Sequence, residues 1–136
     1  MLSKILDETH RKAIVWDVAR GAPNLIMEQP WQSCSCIGGW HYTTSVYENN
    51  WYKSASDVAK LLIDIVSKNG NLLLSVPLRA DGTFDEKEEK ILNEFGEWMN
   101  INKEAIYNTR PWEVFGEGPI AEADIKINAQ GFNEGA

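Results

Sequence analysis

The sequence predicts an α/β fold built on a parallel sheet. Apolar runs at 13–18 and 71–77 read as buried strands rather than as half-exposed ones. Amphipathic helical patterns at 54–68 and 85–102 alternate with strands. The spacing between elements leaves room for crossover connections and not for tight hairpins.

Taken in order, residues 2–12 read as a short helix with Leu2, Ile5 and Leu6 on one side. Ala13-Ile14-Val15-Trp16-Asp17-Val18 comes next as a strand, and Gly21, Pro23 and Asn24 break the pattern into a loop. Residues 31–37 form a second short strand that Gly38-Gly39 ends. Residues 38–53 are rich in Tyr, Trp, Asn and Thr without a clear period, so they read as a long aromatic loop of the kind that carries function. Ser54 supplies an N-cap oxygen and Asp57 is placed to reach back as in a capping box. Val58, Leu61, Leu62, Ile65 and Val66 then repeat at helical spacing, and Asn69-Gly70 closes the helix. Residues 71–77 make the next strand, stopped by Pro77. Residues 80–83 turn, and a second amphipathic helix runs from Asp85 to about Asn102, with Ile91, Leu92, Phe95, Trp98 and Met99 on one face. The acidic start of that helix, 85–89, reads as a solvated face that favours the helix dipole and not as a metal site. Two or three such units leave strand edges open and one sheet face half covered, so a stable version needs further strands from elsewhere.

With 136 residues the chain suits one modest domain. A formal charge of −7 argues against nucleic acid or an anionic membrane as partner, because both are bound through clustered Lys and Arg. No apolar run is long enough to cross a bilayer, and the first residues lack the layout of a signal peptide. Cys34 and Cys36 stand two apart on an extended segment and read as free thiols; with only His10 and His41 beside them, neither a metal nor a cofactor is implied. Six tryptophans are many for this length, and an indole face suits a sugar ring as well as a core.

Several segments carry a resemblance. Pro30-Trp31-Gln32-Ser33-Cys34 with Gly39-Trp40-His41-Tyr42, the run from Leu62 through Lys68-Asn69-Gly70-Asn71 to Leu74, Asp81-Gly82-Thr83 with Gly96-Glu97-Trp98-Met99, and Glu104-Ala105-Ile106-Tyr107-Asn108-Thr109-Arg110-Pro111-Trp112 occur in the order seen in family 29 α-L-fucosidases. Over residues 10–115 the chain resembles that glycoside hydrolase family. The resemblance implies a partial (β/α)8 barrel made of the C-terminal βα units only, since a full barrel needs roughly 250 residues. Residues 1–115 would be this C-terminal portion of the catalytic barrel. Residues 116–136 would be a linker and the truncated start of a C-terminal β-sandwich. In such barrels the site stands at the carboxyl ends of the strands. Relatives of this type are exported or lysosomal, which leaves the compartment of this chain open.

The resemblance also implies chemistry. Retaining glycosidases use two carboxyl groups about 5 to 5.5 Å apart, one nucleophile and one acid then base. The family's nucleophilic Asp precedes the residues present here. Close relatives are expected to carry Glu in Asp-Val-Glu-Arg-Gly, where this chain has Asp17-Val18-Ala19-Arg20-Gly21. An alanine at 19 can neither give nor take a proton, a loss of roughly 10²- to 10⁴-fold in rate. Asp17 projects to the same side of the strand and is a candidate substitute, with a structural carboxylate as the alternative. Gln32 stands where many relatives carry Glu, and Glu28 reads as a solvated loop residue. Trp40 and His41 are candidates to hold the sugar, with loop packing and a backbone-bonded neutral imidazole as alternatives; Trp31 is a further candidate, with core packing as its alternative.

The function implied is that of a fragment of a retaining exo-α-L-fucosidase acting on fucosylated glycans. It is inactive alone and requires the missing N-terminal barrel half or self-association. A non-catalytic carbohydrate-binding remnant and a functionless truncated product are the alternatives.

Overall fold

A computed structural model describes residues 2–3 and 7–117. Four parallel strands lie in sequence order: β1 (Leu2–Ser3), β2 (Val15–Ala19), β3 (Trp31–Cys36) and β4 (Gly70–Ser75). Among the described residues they are accompanied by four helices: α1 (Glu8–Arg11), α2 (Thr44–Asn49), α3 (Ala55–Ser67) and α4 (Glu86–Asn102), the last running into a 3-10 turn at Lys103–Ala105.

The register explains how side chains are shared between the two faces of the sheet. Asp17 pairs with Gln32 and Gln32 with Asn71; Ala19 pairs with Cys34 and Cys34 with Leu73. Because successive residues point to opposite sides, Asp17, Gln32, Cys34 and Leu73 share one face, and Trp16, Trp31, Ser33 and Leu72 share the other. Helix α3 covers the second face. Its Ile65 is fully buried near Trp31 and Gly70. A Cβ placed on Gly70 would stand 2.5 Å from Trp31 Cε2 and 2.8 Å from Ile65 Cγ2, so glycine here is what lets the indole lie against β4. Trp31 Nε1 donates to the carbonyl of Lys68 at 2.8 Å, satisfying the indole inside the core.

The capping box of α3 forms as its sequence predicts: Ser54 accepts from the Asp57 amide while Asp57 accepts from the Ser54 amide. Such caps contribute about 1 kcal/mol. The predicted strands and both long helices appear within one or two residues of their expected bounds.

Three expectations change. The helix expected over 2–12 changes: Leu2–Ser3 pairs in parallel with Val15 and Trp16, and among the described residues of this stretch the helix is Glu8–Arg11, started by Asp7, whose side chain accepts from the His10 amide. The aromatic loop contains the short helix α2, which carries no side-chain cap on Thr43 and is turned off by Asn50 in the left-handed region, φ 55°. The acidic start of α4 is not uniformly solvated. Asp85 is fully buried as the N-cap, accepting from the amides of Lys87 and Glu88, and Glu88 is only 1% exposed. Residues 118–136, where the linker ends and the sandwich was expected to begin, lie outside the described residues.

Candidate functional site

Parallel strands in sequence order bring their carboxyl ends to one edge, and there the loops after β2, β3 and β4 meet. Ala19 is the last residue of β2 and is exposed. Arg20 turns the chain sharply away with φ 62°, a conformation that costs a non-glycine residue energy, and its amide donates to the Cys34 carbonyl at 2.9 Å. The Arg20 guanidinium stands 5.3 Å from the centre of the Trp40 ring. This cation–π contact ties the loop after β2 to the aromatic loop after β3. Trp40 remains 41% exposed and His41 is exposed beside it, so both present surface at the rim next to Ala19.

Asp17 lies two residues deeper on the same face as Ala19 and is buried. Its Oδ1 accepts from Gln32 Nε2 at 3.1 Å and its Oδ2 is 3.6 Å from the Cys34 thiol. A carboxylate at position 32 would face Asp17 with like charge, whereas the amide donates to it; the Gln at 32 and the Asp at 17 fit as a pair. Neither cysteine forms a disulfide, and Cys36 donates to the Gly38 carbonyl.

Trp31 is placed elsewhere. It begins β3 at the opposite edge of the sheet, points to the helix-covered face, is 1% exposed, and packs against Trp16 with ring centres 6.2 Å apart. Its ring has no free face for a sugar, so the binding expectation is withdrawn and core packing stands for this residue. Glu28 is exposed in the loop before β3.

The aromatic loop is anchored by residues that sequence reasoning did not single out. Lys53 donates to the Cys36 carbonyl at 2.8 Å, and burial pushes its ammonium below the ordinary lysine value, with the charge of Arg20 acting the same way. Tyr52 donates to Asp85 at 2.6 Å; burial first, and this bond second, raise its phenol well above the ordinary tyrosine value. Arg79 donates to Glu86 at 2.7 Å and Tyr47 donates to the same carboxylate. Gly38 permits the loop to fold back, because a Cβ there would meet Val46 at 2.7 Å. The signal for these anchors is spatial: residues 42–53 and 79–88 are far apart in sequence and meet only once β3 and β4 are paired. Among the described residues no group of three His, Cys, Asp or Glu side chains gathers as metal ligands.

The fold and this rim define a parallel α/β protein whose candidate site stands at the carboxyl ends of sequential strands. Residues 3–104 match the family described as Alpha-L-fucosidase, and the chain belongs to that family. An α-L-fucosidase of Dictyostelium discoideum is 34% identical over 68% of this chain, and the plasma α-L-fucosidase of Homo sapiens is 32% identical over 66%. The chain spans about 20% of the length of these curated relatives. Among solved structures, α-L-fucosidase isoenzyme 1 from Paenibacillus thiaminolyticus superposes with a TM-score of 0.67 at 28% identity, covering 74% of this chain and 25% of that one.

Proposed function

We propose that this chain is the C-terminal portion of the (β/α)8 catalytic barrel of a retaining exo-α-L-fucosidase, with residues 1–115 in the barrel and 116–136 leading to a further domain. The observation that carries this reading is the position of Ala19. It stands at the carboxyl end of β2, at the rim, with Arg20 and Trp40 drawn together beside it. In a retaining enzyme a carboxylic acid there protonates the leaving oxygen and later activates water. Trp40 offers an indole face to the apolar side of the sugar and its C6 methyl, and His41 offers a nitrogen to a hydroxyl. Asp17 keeps a structural part, since both of its oxygens are engaged by Gln32 and Cys34. The nucleophile belongs to the preceding part of the barrel.

Supporting the need for that part is the face of the sheet carrying Asp17, where Val15 is 42% and Leu73 is 53% exposed; in a closed barrel this face is the packed interior. Release of 4-nitrophenol from its α-L-fucoside tests the reading. The full-length parent with Glu at 19 turns over, and the Ala19 form is slower by roughly 10²- to 10⁴-fold. A full-length parent with Glu at 19 and an intact nucleophile, yet no turnover, ends the proposal.

Ala19 favours one second reading, a non-catalytic fucose-binding remnant. Titration of fucose into the isolated chain, followed by NMR, separates the two: shifts confined to Trp40 and His41 with saturation support the remnant, and an unchanged spectrum removes it.

A further inference from the structure

Where α4 meets the aromatic loop lies a buried acidic pair that the candidate chemistry does not use. Asp85 caps α4: its Oδ1 accepts from the amides of Lys87 and Glu88 at 2.9 and 2.8 Å, and its Oδ2 accepts from the Tyr52 hydroxyl at 2.6 Å. Both oxygens of Asp85 are thus engaged. Glu88, one turn on, is as deeply buried, and its Oε2 has no hydrogen-bond partner. An ionised carboxylate left so costs far more than a neutral one.

The ligand that suits this oxygen is a proton. Among the described residues no third His, Cys, Asp or Glu joins the pair to hold a metal ion. Burial, and after it the charge of Asp85, raise the Glu88 carboxyl to about 7, with a backbone hydrogen bond at Asp85 and the charge of Arg79 acting the other way. From the aromatic loop, the Tyr52 phenol feels both Asp85 and Glu88. On α3, which packs alongside, Asp57 is bonded to Ser54, Asp64 is paired with Lys68, and Lys60 is exposed.

The same pair holds the aromatic loop. Tyr52 is gripped at both ends: Asp85 takes its hydroxyl, and its ring lies against Gly38, where a Cβ would stand 3.0 Å from Tyr52 Cδ1. Gly38 leads through Gly39 directly to Trp40 and His41. The loop has further ties to α4: Tyr47 donates to Glu86, and Lys87 donates to the Tyr47 carbonyl. Glu86 is exposed, and charged ties open to solvent hold weakly. The buried tie is Tyr52 to Asp85. Next to it, Lys53 pins the chain to the end of β3 through the carbonyls of Cys36 and Ile37, a fixed end about which the loop can turn.

We propose that Tyr52, Asp85 and Glu88 form a proton-operated latch on the aromatic loop. With Glu88 protonated, the loop is held on α4. When Glu88 gives its proton to solvent, Tyr52 comes away from Asp85 and water reaches the carboxylate. In the opened form Glu88 returns to the ordinary carboxylate range, so the closed form loses ground as pH rises from that range toward about 7 and levels off above it. The inference stands on this cluster and is independent of the fucosidase reading; under that reading, the loop released is the one that bears Trp40 and His41.

The test is hydrogen exchange on the full 136-residue chain from about pH 5 to about pH 8.5, each amide's rate being divided by its intrinsic rate at that pH. The amides of Val46, Tyr47, Asn50 and Trp51, bonded within the loop, are expected to be less protected than those of β3 and β4. Their protection falls at least about 5-fold between about pH 5 and about pH 7.5, then levels off. Glu88→Gln, which keeps the shape and cannot ionise, removes the fall. Tyr52→Phe, which breaks the tie to Asp85, lowers the loop's protection already at the acid end. Where a variant fails to fold, the parent alone decides: the NMR shift of the Glu88 carboxyl carbon follows its ionisation, with a midpoint expected at about 7. A midpoint in the ordinary carboxylate range overturns the inference. So does equal protection of the loop and of β3 and β4 at every pH, which makes Glu88 a reporter of global unfolding alone. A fall in Glu88→Gln as large as the parent's, or a loop as protected in Tyr52→Phe as in the parent, overturns it too.

Discussion

The two faces of the sheet are built differently. On the helix-covered face, Trp31, Gly70 and Ile65 interlock so closely that a single added methyl at 70 meets an indole carbon at 2.5 Å, and the one polar atom of the indole is satisfied by Lys68. On the opposite face, Asp17, Gln32 and Cys34 bond to one another, but Val15 and Leu73 stand about half open to solvent. The first face is closed by α3 over β3 and β4, and the second has the composition of an interior without the cover. Local stability therefore concentrates on one side, and residues on the other side matter chiefly to whatever closes over them.

That contrast can be broken by substitution. The largest effect belongs to Trp31→Ala, which removes the centre of the covered face and costs about 3–5 kcal/mol, read as a loss of the urea midpoint. Next is Gly70→Ala. The added Cβ forces Trp31 or Ile65 aside and costs about 1–3 kcal/mol, with the midpoint lowered and the denaturant slope unchanged. Should Gly70→Ala be neutral, the packing contrast between the faces is smaller than the geometry states.

A pH measurement sharpens the comparison within the helix layer. Glu88 is buried with Oε2 unpartnered, and burial, followed by the nearby charge of Asp85, lifts its carboxyl to about 7. Tyr52, on the aromatic loop, and Arg79, before α4, are the other titratable groups acting near it. A carboxyl raised in the folded state binds its proton more tightly there than in the unfolded chain. Its contribution is thus full below the ordinary carboxylate range and is lost as pH rises toward about 7. The melting temperature of the parent is expected to fall over that window, and Glu88→Gln is expected to flatten the fall. Equal slopes in the two proteins would remove Glu88 from the account.

The smallest effect falls on the open face. Leu73→Ser in the isolated chain changes stability within about 0.5 kcal/mol, since the side chain is already exposed. The same change weakens association with a complementary barrel half, measured by titration of the two pieces. A large loss of stability in the isolated chain would show that this face is already packed.

Much of the fold was legible because its signals are local. The capping box at Ser54 and Asp57, the helical spacing from Val58 to Val66 and the apolar run at Leu72, Leu73 and Leu74 each act over a few residues and needed no tertiary context. Residues 2–12 misled because Leu2, Ile5 and Leu6 fit a helix by spacing, while Leu2 and Ser3 find strand partners that only β2 provides. The resemblance pointed to Ala19, Trp40 and His41 as site residues, and all three are exposed at the carboxyl edge of the sheet. The Arg20–Trp40 contact was not legible, because it joins two loops through the pairing of β2 with β3.

The sequence alone determined the order of β2, β3, α3, β4 and α4 and the family, through periodicity, caps and long ordered motifs. Tertiary structure decided which aromatic is core and which is rim, sending Trp31 inward and leaving Trp40 exposed, though both are tryptophans in one short stretch. It also decided that two acids of an apparently solvated helix start, Asp85 and Glu88, are buried. The physical reason is the same in each case: burial depends on what a distant strand or loop lays over a side chain, and that neighbour is chosen by the register of the sheet, which no local pattern records.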